Sequence, residues 1–91
     1  MHPPEYEILG HSNVRTPSGA RIAILGRAGI SYATDDGEII VDSEMLAPDM
    51  TIAVYAGSII SPFISREVIL AEVIEALHVL GFAVEIIDSS S

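Results

Sequence analysis

The residues best suited to catalysis are three histidines, and none of them belongs to a complete catalytic constellation. His2 lies near the N-terminus, His11 precedes Ser12 in a polar stretch, and His78 belongs to a helical pattern. A serine nucleophile needs a histidine base, an acid that orients the base and donors that stabilise the oxyanion. Ser12 lacks the glycine-flanked elbow that presents such a serine, and the chain has no cysteine. The sequence therefore predicts no enzyme activity.

Two acidic motifs resemble metal sites only in part. Glu72, Glu75 and His78 follow a three-residue spacing that places them on one side of a helix. A carboxylate and histidine site of that kind takes its ligands from several helices, and this chain predicts one. Residues 35–38 lack the spaced acids of a calcium-binding loop and fit a hairpin turn instead. We therefore expect no metal and no cofactor.

Charge is the clearest functional feature of the chain. Thirteen acidic side chains face four basic ones, all arginine, which gives a formal charge of −9 on 91 residues. Because 49% of the residues are hydrophobic, the acids must decorate a folded surface rather than a disordered tail. Such a surface attracts cationic partners and repels nucleic acid.

The acids are concentrated in one segment, between residues 35 and 49, with no basic residue among them. In a strand, Glu38 and Asp42 share the solvent face with Ile40, whereas Ile39 and Val41 point to the core. Two interpretations stay open. The acids serve solubility alone, or they form a docking surface that speeds capture of a basic partner. The candidate partner-binding residues are Asp35, Asp36, Glu38, Asp42, Glu44 and Asp49.

Alternating polar and apolar residues predict four strands before a single helix and one strand after it. The turn at residues 35–37 joins the second and third strands as a hairpin. The expected fold is α+β, with a mainly antiparallel sheet of about five strands and the C-terminal helix packed on one face, in the order ββββαβ. The strands are expected at residues 20–26, 28–34, 38–43, 50–56 and 82–87.

The helix carries its own start and stop signals. Ser65 is the predicted N-cap, Glu67 lies in the first turn, and Gly81 follows Leu80 as a left-handed C-cap. At about 100° per residue, seven apolar residues fall on one side of this helix and form the predicted core. They are Ile69, Leu70, Val73, Ile74, Ala76, Leu77 and Leu80.

The opposite side of the helix is less polar than a monomer needs. It carries Glu72, Glu75 and His78, but Val68 and Val79 lie among them. Exposed apolar residues of this kind mark a candidate self-association surface.

The N-terminal residues 1–19 are predicted as a polar lead-in with one candidate short strand at residues 5–9. Residues 10–19 have the composition of turns and loops. Residues 20–91 are expected to form a single α+β domain. Neither a secretory signal nor an apolar run long enough for a membrane span is visible, so we expect a cytoplasmic protein with no membrane partner.

Several short runs of sequence between residues 20 and 88 together follow a pattern that resembles a known protein family. They are residues 29–32, 40–46, 52–55, 58–59, 64–67 and 81–85, with the amphipathic helix between the last two. In these runs the chain resembles small immunity proteins encoded beside bacterial polymorphic toxins. A tryptophan expected just after residues 58–59 is replaced near there by Pro62 and Phe63.

The resemblance implies a non-enzymatic protein that binds and neutralises a cognate toxin. The acidic charge of the chain leads us to expect that this toxin is basic. An alternative is a homo-oligomeric protein that binds or sequesters a small ligand, such as a phage counter-defence protein. Val68, Val79 and the surplus of hydrophobic residues favour that alternative. A small enzyme built on His11 or His78 ranks last.

Overall fold

A computed structural model describes residues 6–46 and 50–87, and within them the chain forms one seven-stranded sheet and one α-helix. The strands lie side by side in chain order. Neighbours are antiparallel from the first to the sixth, and the seventh runs parallel to the sixth. The elements are β1 (Glu7–Gly10), β2 (Asn13–Arg15), β3 (Arg21–Ile24), β4 (Ala28–Thr34), β5 (Gly37–Leu46), β6 (Thr51–Tyr55), a 3-10 turn (Ala56–Ser58), α1 (Arg66–Val79) and β7 (Ala83–Ile87).

The core lies between one face of the sheet and α1. Cross-strand pairing places Val14, Ile22, Tyr32 and Ile39 in a single row on that face. The row packs against the apolar side of the helix, because each of these two apolar surfaces needs the other to be shielded from water. The expected α+β class with a C-terminal helix is confirmed. The fully buried helix residues are Ile69, Val73, Ala76 and Leu77.

Both predicted ends of α1 are present. The Val68 amide donates a hydrogen bond of 3.4 Å to the Ser65 hydroxyl, which is the N-cap. Gly81 has φ +97°, and the Phe82 amide donates to the Leu77 carbonyl at 2.9 Å, as in a Schellman C-cap. Among the described residues, no helix is long and apolar enough to cross a membrane.

The expected strand count of about five is too low, because β1 and β2 also belong to the sheet. Residues 10–19 were predicted as loop, yet β2 lies within them, and Val14 is completely buried against Ile22. A three-residue strand is too short to show a periodicity of two. Its place is decided by backbone pairing with β3 and by burial of one valine, and both are tertiary effects.

Candidate partner-binding site

The sheet face opposite α1 is open and carries charged residues in cross-strand rows. Residues directly opposite each other on neighbouring strands share a face. One row runs from Arg15 through Arg21 and Ala33 to Glu38. In this row of the open face, the two arginines lie on β2 and β3, whereas the acidic Glu38 lies at the β5 end.

The predicted alternation along β5 is confirmed. Glu38, Ile40 and Asp42 are exposed, with 49% of Ile40 accessible, whereas Val41 and Ser43 are buried at 0% and 7%. The carboxylates of this strand therefore belong to the open face together with Ile40, whereas Val41 points to the core.

The six candidate acids do not form one patch. Asp35 and Asp36 lie in the hairpin turn, where they line a separate cleft of about 280 Å³ with Ser18 and Gly19. At about 3.3 Å per residue, the eight steps from Asp36 to Glu44 span roughly 26 Å. Asp49 lies outside the described residues. The strand length therefore separates Asp35, Asp36 and Glu38, at or next to the turn, from Asp42 and Glu44 toward the far end of β5.

A groove of about 870 Å³ opens at the far end of β5. It lies where the register between β4 and β5 shifts between Ala28 and Ile30, so that one strand has an extra residue. Such bulges unpair part of the ladder and redirect side chains, and they are common beside functional sites. The lining residues are Arg27, Ala28, Gly29, Asp42, Ser43, Glu44, Met45 and Tyr55.

Tyr55 is the centre of the acidic group beside this groove. Its hydroxyl donates a hydrogen bond of 3.0 Å to Glu44. This bond and the charge of Glu44 raise the pKa of the Tyr55 hydroxyl, and the charges of Asp42 and Glu85 raise it further. Three carboxylates from two strands therefore act on one phenol hydroxyl at the surface.

Tyr55 and Glu85 are the site residues that sequence reasoning missed. Glu85 reaches the site because β7 returns parallel to β6, which sets Glu85 opposite Ala53, while Ala53 lies opposite Glu44. The pairing depends on the crossover through α1 and leaves no local pattern in the sequence. The alternation along residues 52–55 puts Ala53 and Tyr55 on the face opposite Ile52 and Val54, and that was the available sign.

Two hydroxyl groups fix the backbone around the groove. The Ser58 hydroxyl accepts the Asp42 amide hydrogen at 2.9 Å and donates to the Tyr55 carbonyl at 2.7 Å. The Gly29 amide, left without a ladder partner by the bulge, donates to the Ser43 hydroxyl at 3.0 Å. Asp42, Glu44 and Tyr55 are therefore held on a satisfied backbone rather than on a loose loop.

The helical spacing predicts that Glu72 lies on the solvent side of the helix, and this prediction is wrong. Glu72 is half-buried and accepts hydrogen bonds from the Tyr32 hydroxyl at 2.5 Å and the Ser18 hydroxyl at 2.9 Å. A long side chain at the border of the helix face can turn inward when a buried phenol needs an acceptor. Glu75 and His78 are exposed as expected.

The other candidate positions are dispersed. Val68 is 46% exposed, whereas Val79 is half-buried. His11 is exposed on the tight turn between β1 and β2. Within residues 6–46 and 50–87, no three histidine or acidic side chains come close enough together to hold a metal ion.

Comparison with known protein families, with curated proteins and with solved structures gives no significant match.

Proposed function

We propose that the protein is an immunity-type inhibitor that binds and neutralises a basic protein toxin through the acidic part of its open sheet face. The observation that supports this proposal is the convergence of Asp42, Glu44 and Glu85 around the exposed Tyr55 hydroxyl. Carboxylates gathered on one exposed surface create a negative potential that steers cationic proteins into contact.

Within the described part of the chain, the acids at this site make no ion pair, although Arg27 lies at the rim of the same groove. Among the described residues, the only ion pair joins Arg15 to Glu7 at 3.4 Å, at the opposite edge of the sheet. Unneutralised like charges repel one another and reduce stability. A partner that brings cations to β5 and β7 would relieve this repulsion. The clustering of these acids therefore favours binding, although folding does not need it.

The direct test uses the toxin encoded by a neighbouring gene, produced with and without this protein. Co-expression should restore growth, and the purified protein should inhibit the toxin in the test tube. Because exposed charges are screened by salt, the association rate should fall by about tenfold or more between ~50 and ~500 mM salt. Failure to protect against that toxin would refute the inhibitor proposal, and a salt-independent rate would refute its electrostatic basis.

A second candidate is a homo-oligomeric protein that binds or sequesters a small ligand, as in phage counter-defence. It is favoured by the groove, whose volume of about 870 Å³ is within the usual range of small-molecule sites, about 300–1,000 Å³. The exposure of Val68 provides a surface for self-association. Light scattering at high micromolar concentration separates the two candidates, because a strict monomer would argue against the oligomeric one.

A further inference from the structure

We infer that the groove beside Tyr55 takes an arginine side chain, carried on an extended segment of the partner. This inference rests on the proposed function and names the chemistry that the same surface recognises. It follows from the shape of the groove and from the groups that line it, and the cation at its rim, Arg27, provides a test.

The shape suits a side chain together with its backbone. Ala28 and Gly29 form the β4 wall of the groove, and their side chains fill at most the space of one methyl group. Ser43 lines the groove although it is only 7% exposed. Its hydroxyl accepts the Gly29 amide hydrogen, and its own hydrogen meets no acceptor in the described residues. A carbonyl of an entering peptide would accept that hydrogen.

The charge and geometry favour arginine. Asp42 and Glu44 both line the groove, and Glu85 lies close enough to raise the pKa of Tyr55. A planar guanidinium can bond to carboxylates through two parallel donors and can stack on a phenol ring. The half-buried Tyr55 offers its ring at the place where the carboxylates converge. Lysine has a single point charge and gains less from either feature.

The groups that would bind the arginine side chain are already in place in the free protein. The Ser58 hydroxyl bridges the Asp42 amide and the Tyr55 carbonyl, so β5 and the end of β6 are fixed relative to each other. Glu44 is oriented by the Tyr55 hydroxyl. Groups that are already in place lose little conformational entropy on binding, which favours affinity.

Arg27 provides a test of opposite sign. It is exposed at the rim of the groove, and it makes no ion pair within the part of the chain that the structure describes. Its positive charge opposes entry of a second guanidinium. Replacing it with glutamine should therefore tighten the binding of an arginine guest, whereas replacing the acids should weaken it.

The experiment titrates the full-length, nitrogen-15-labelled protein with a short capped peptide that contains one arginine between glycines, followed by NMR. A citrulline peptide is the neutral isosteric control, and a lysine peptide tests the planar geometry. We expect shift changes centred on residues 27–29, 42–45 and Tyr55. The citrulline peptide should not bind, and the lysine peptide should bind more weakly than the arginine peptide.

A matched pair of double variants separates the groove from general acidity. Asp42→Asn with Glu44→Gln and Asp35→Asn with Asp36→Asn each remove two negative charges from the formal −9. The first pair should weaken the arginine peptide by about tenfold or more, because charge-assisted bonds are lost. The second pair should leave its affinity unchanged. If the first double variant does not fold, the single variants Glu44→Gln and Arg27→Gln provide the comparison. Glu44→Gln should weaken binding of the arginine peptide, and Arg27→Gln should tighten it.

Equal weakening by both double variants, or equal affinity for arginine and lysine peptides, would overturn the inference. The proposed function has separate outcomes. If the groove variants still neutralise the toxin with full affinity, the groove is not the recognition site although the protein is an inhibitor. If the wild-type protein binds the arginine peptide at the groove but does not protect against the toxin, the inhibitor proposal fails and the arginine preference stands.

Discussion

The Tyr32 hydroxyl donates a hydrogen bond of 2.5 Å to the Glu72 carboxylate, which joins the middle of the sheet to the helix. Tyr32 is 1% exposed, and Glu72 also accepts from the Ser18 hydroxyl in the turn between β2 and β3. One acid therefore holds three parts of the chain together. It belongs to the structure of the protein, in contrast to the exposed acids of the open face.

Replacing Tyr32 with phenylalanine should destabilise the protein by about 1.5–3 kcal/mol, because a buried hydrogen bond to a charged acceptor is lost. Urea unfolding followed by circular dichroism measures the change. Tyr55→Phe is the matched control, since it removes a tyrosine to glutamate bond at the surface. It should alter stability by less than about 0.5 kcal/mol, and equal losses in both variants would contradict a special role for the buried bond.

Stability should fall as the pH rises above 10. Burial, and then the hydrogen bond to Glu72, raise the pKa of the Tyr32 hydroxyl above its ordinary value of 10.0. Above that value the unfolded chain loses the phenolic proton while the folded chain keeps it, so unfolding becomes more favourable. The cost is about 1.4 kcal/mol per pH unit until the folded group ionises. Unfolding at pH 8, 10 and 11 tests this, and Tyr32→Phe should have a visibly smaller slope.

Gly81→Ala should destabilise the protein by about 1–2 kcal/mol, because Gly81 has φ +97° and a side chain there is strained. A Cβ at this position would meet no atom within 4 Å, so crowding cannot explain the loss. Gly57 has equally open surroundings without a positive φ. Gly57→Ala should therefore be neutral or up to about 1 kcal/mol stabilising, and a similar loss at both positions in thermal unfolding would rule out the backbone explanation.

Val14→Ala should cost about 2 kcal/mol, because Val14 is completely buried in β2 and its loss leaves a cavity in the core. Ile8 on β1 is 55% exposed and serves as the control within the same N-terminal segment. Ile8→Ala should change the free energy of unfolding by less than about 0.5 kcal/mol. If Val14→Ala proves as mild as Ile8→Ala, the N-terminal strands do not contribute to the cooperative core.

The helix was the part of the fold most open to sequence reasoning. Its cap at Ser65, its left-handed end at Gly81 and its apolar side are all local features, set by residues within four positions of one another. The alternation along β5 was predicted for the same reason, because neighbouring residues of a strand point to opposite faces. β2 was missed because three residues are too few to form a period.

The sequence by itself determined that this is an acidic α+β domain with one capped helix and a strand that presents its carboxylates to solvent. Only the tertiary structure decided which acids meet. The length of β5 separates Asp36 from Glu44, and the parallel return of β7 brings Glu85 beside Tyr55. The physical reason is that side-chain periodicity is local, whereas strand pairing joins residues that are far apart in the chain and is decided by packing of the whole domain.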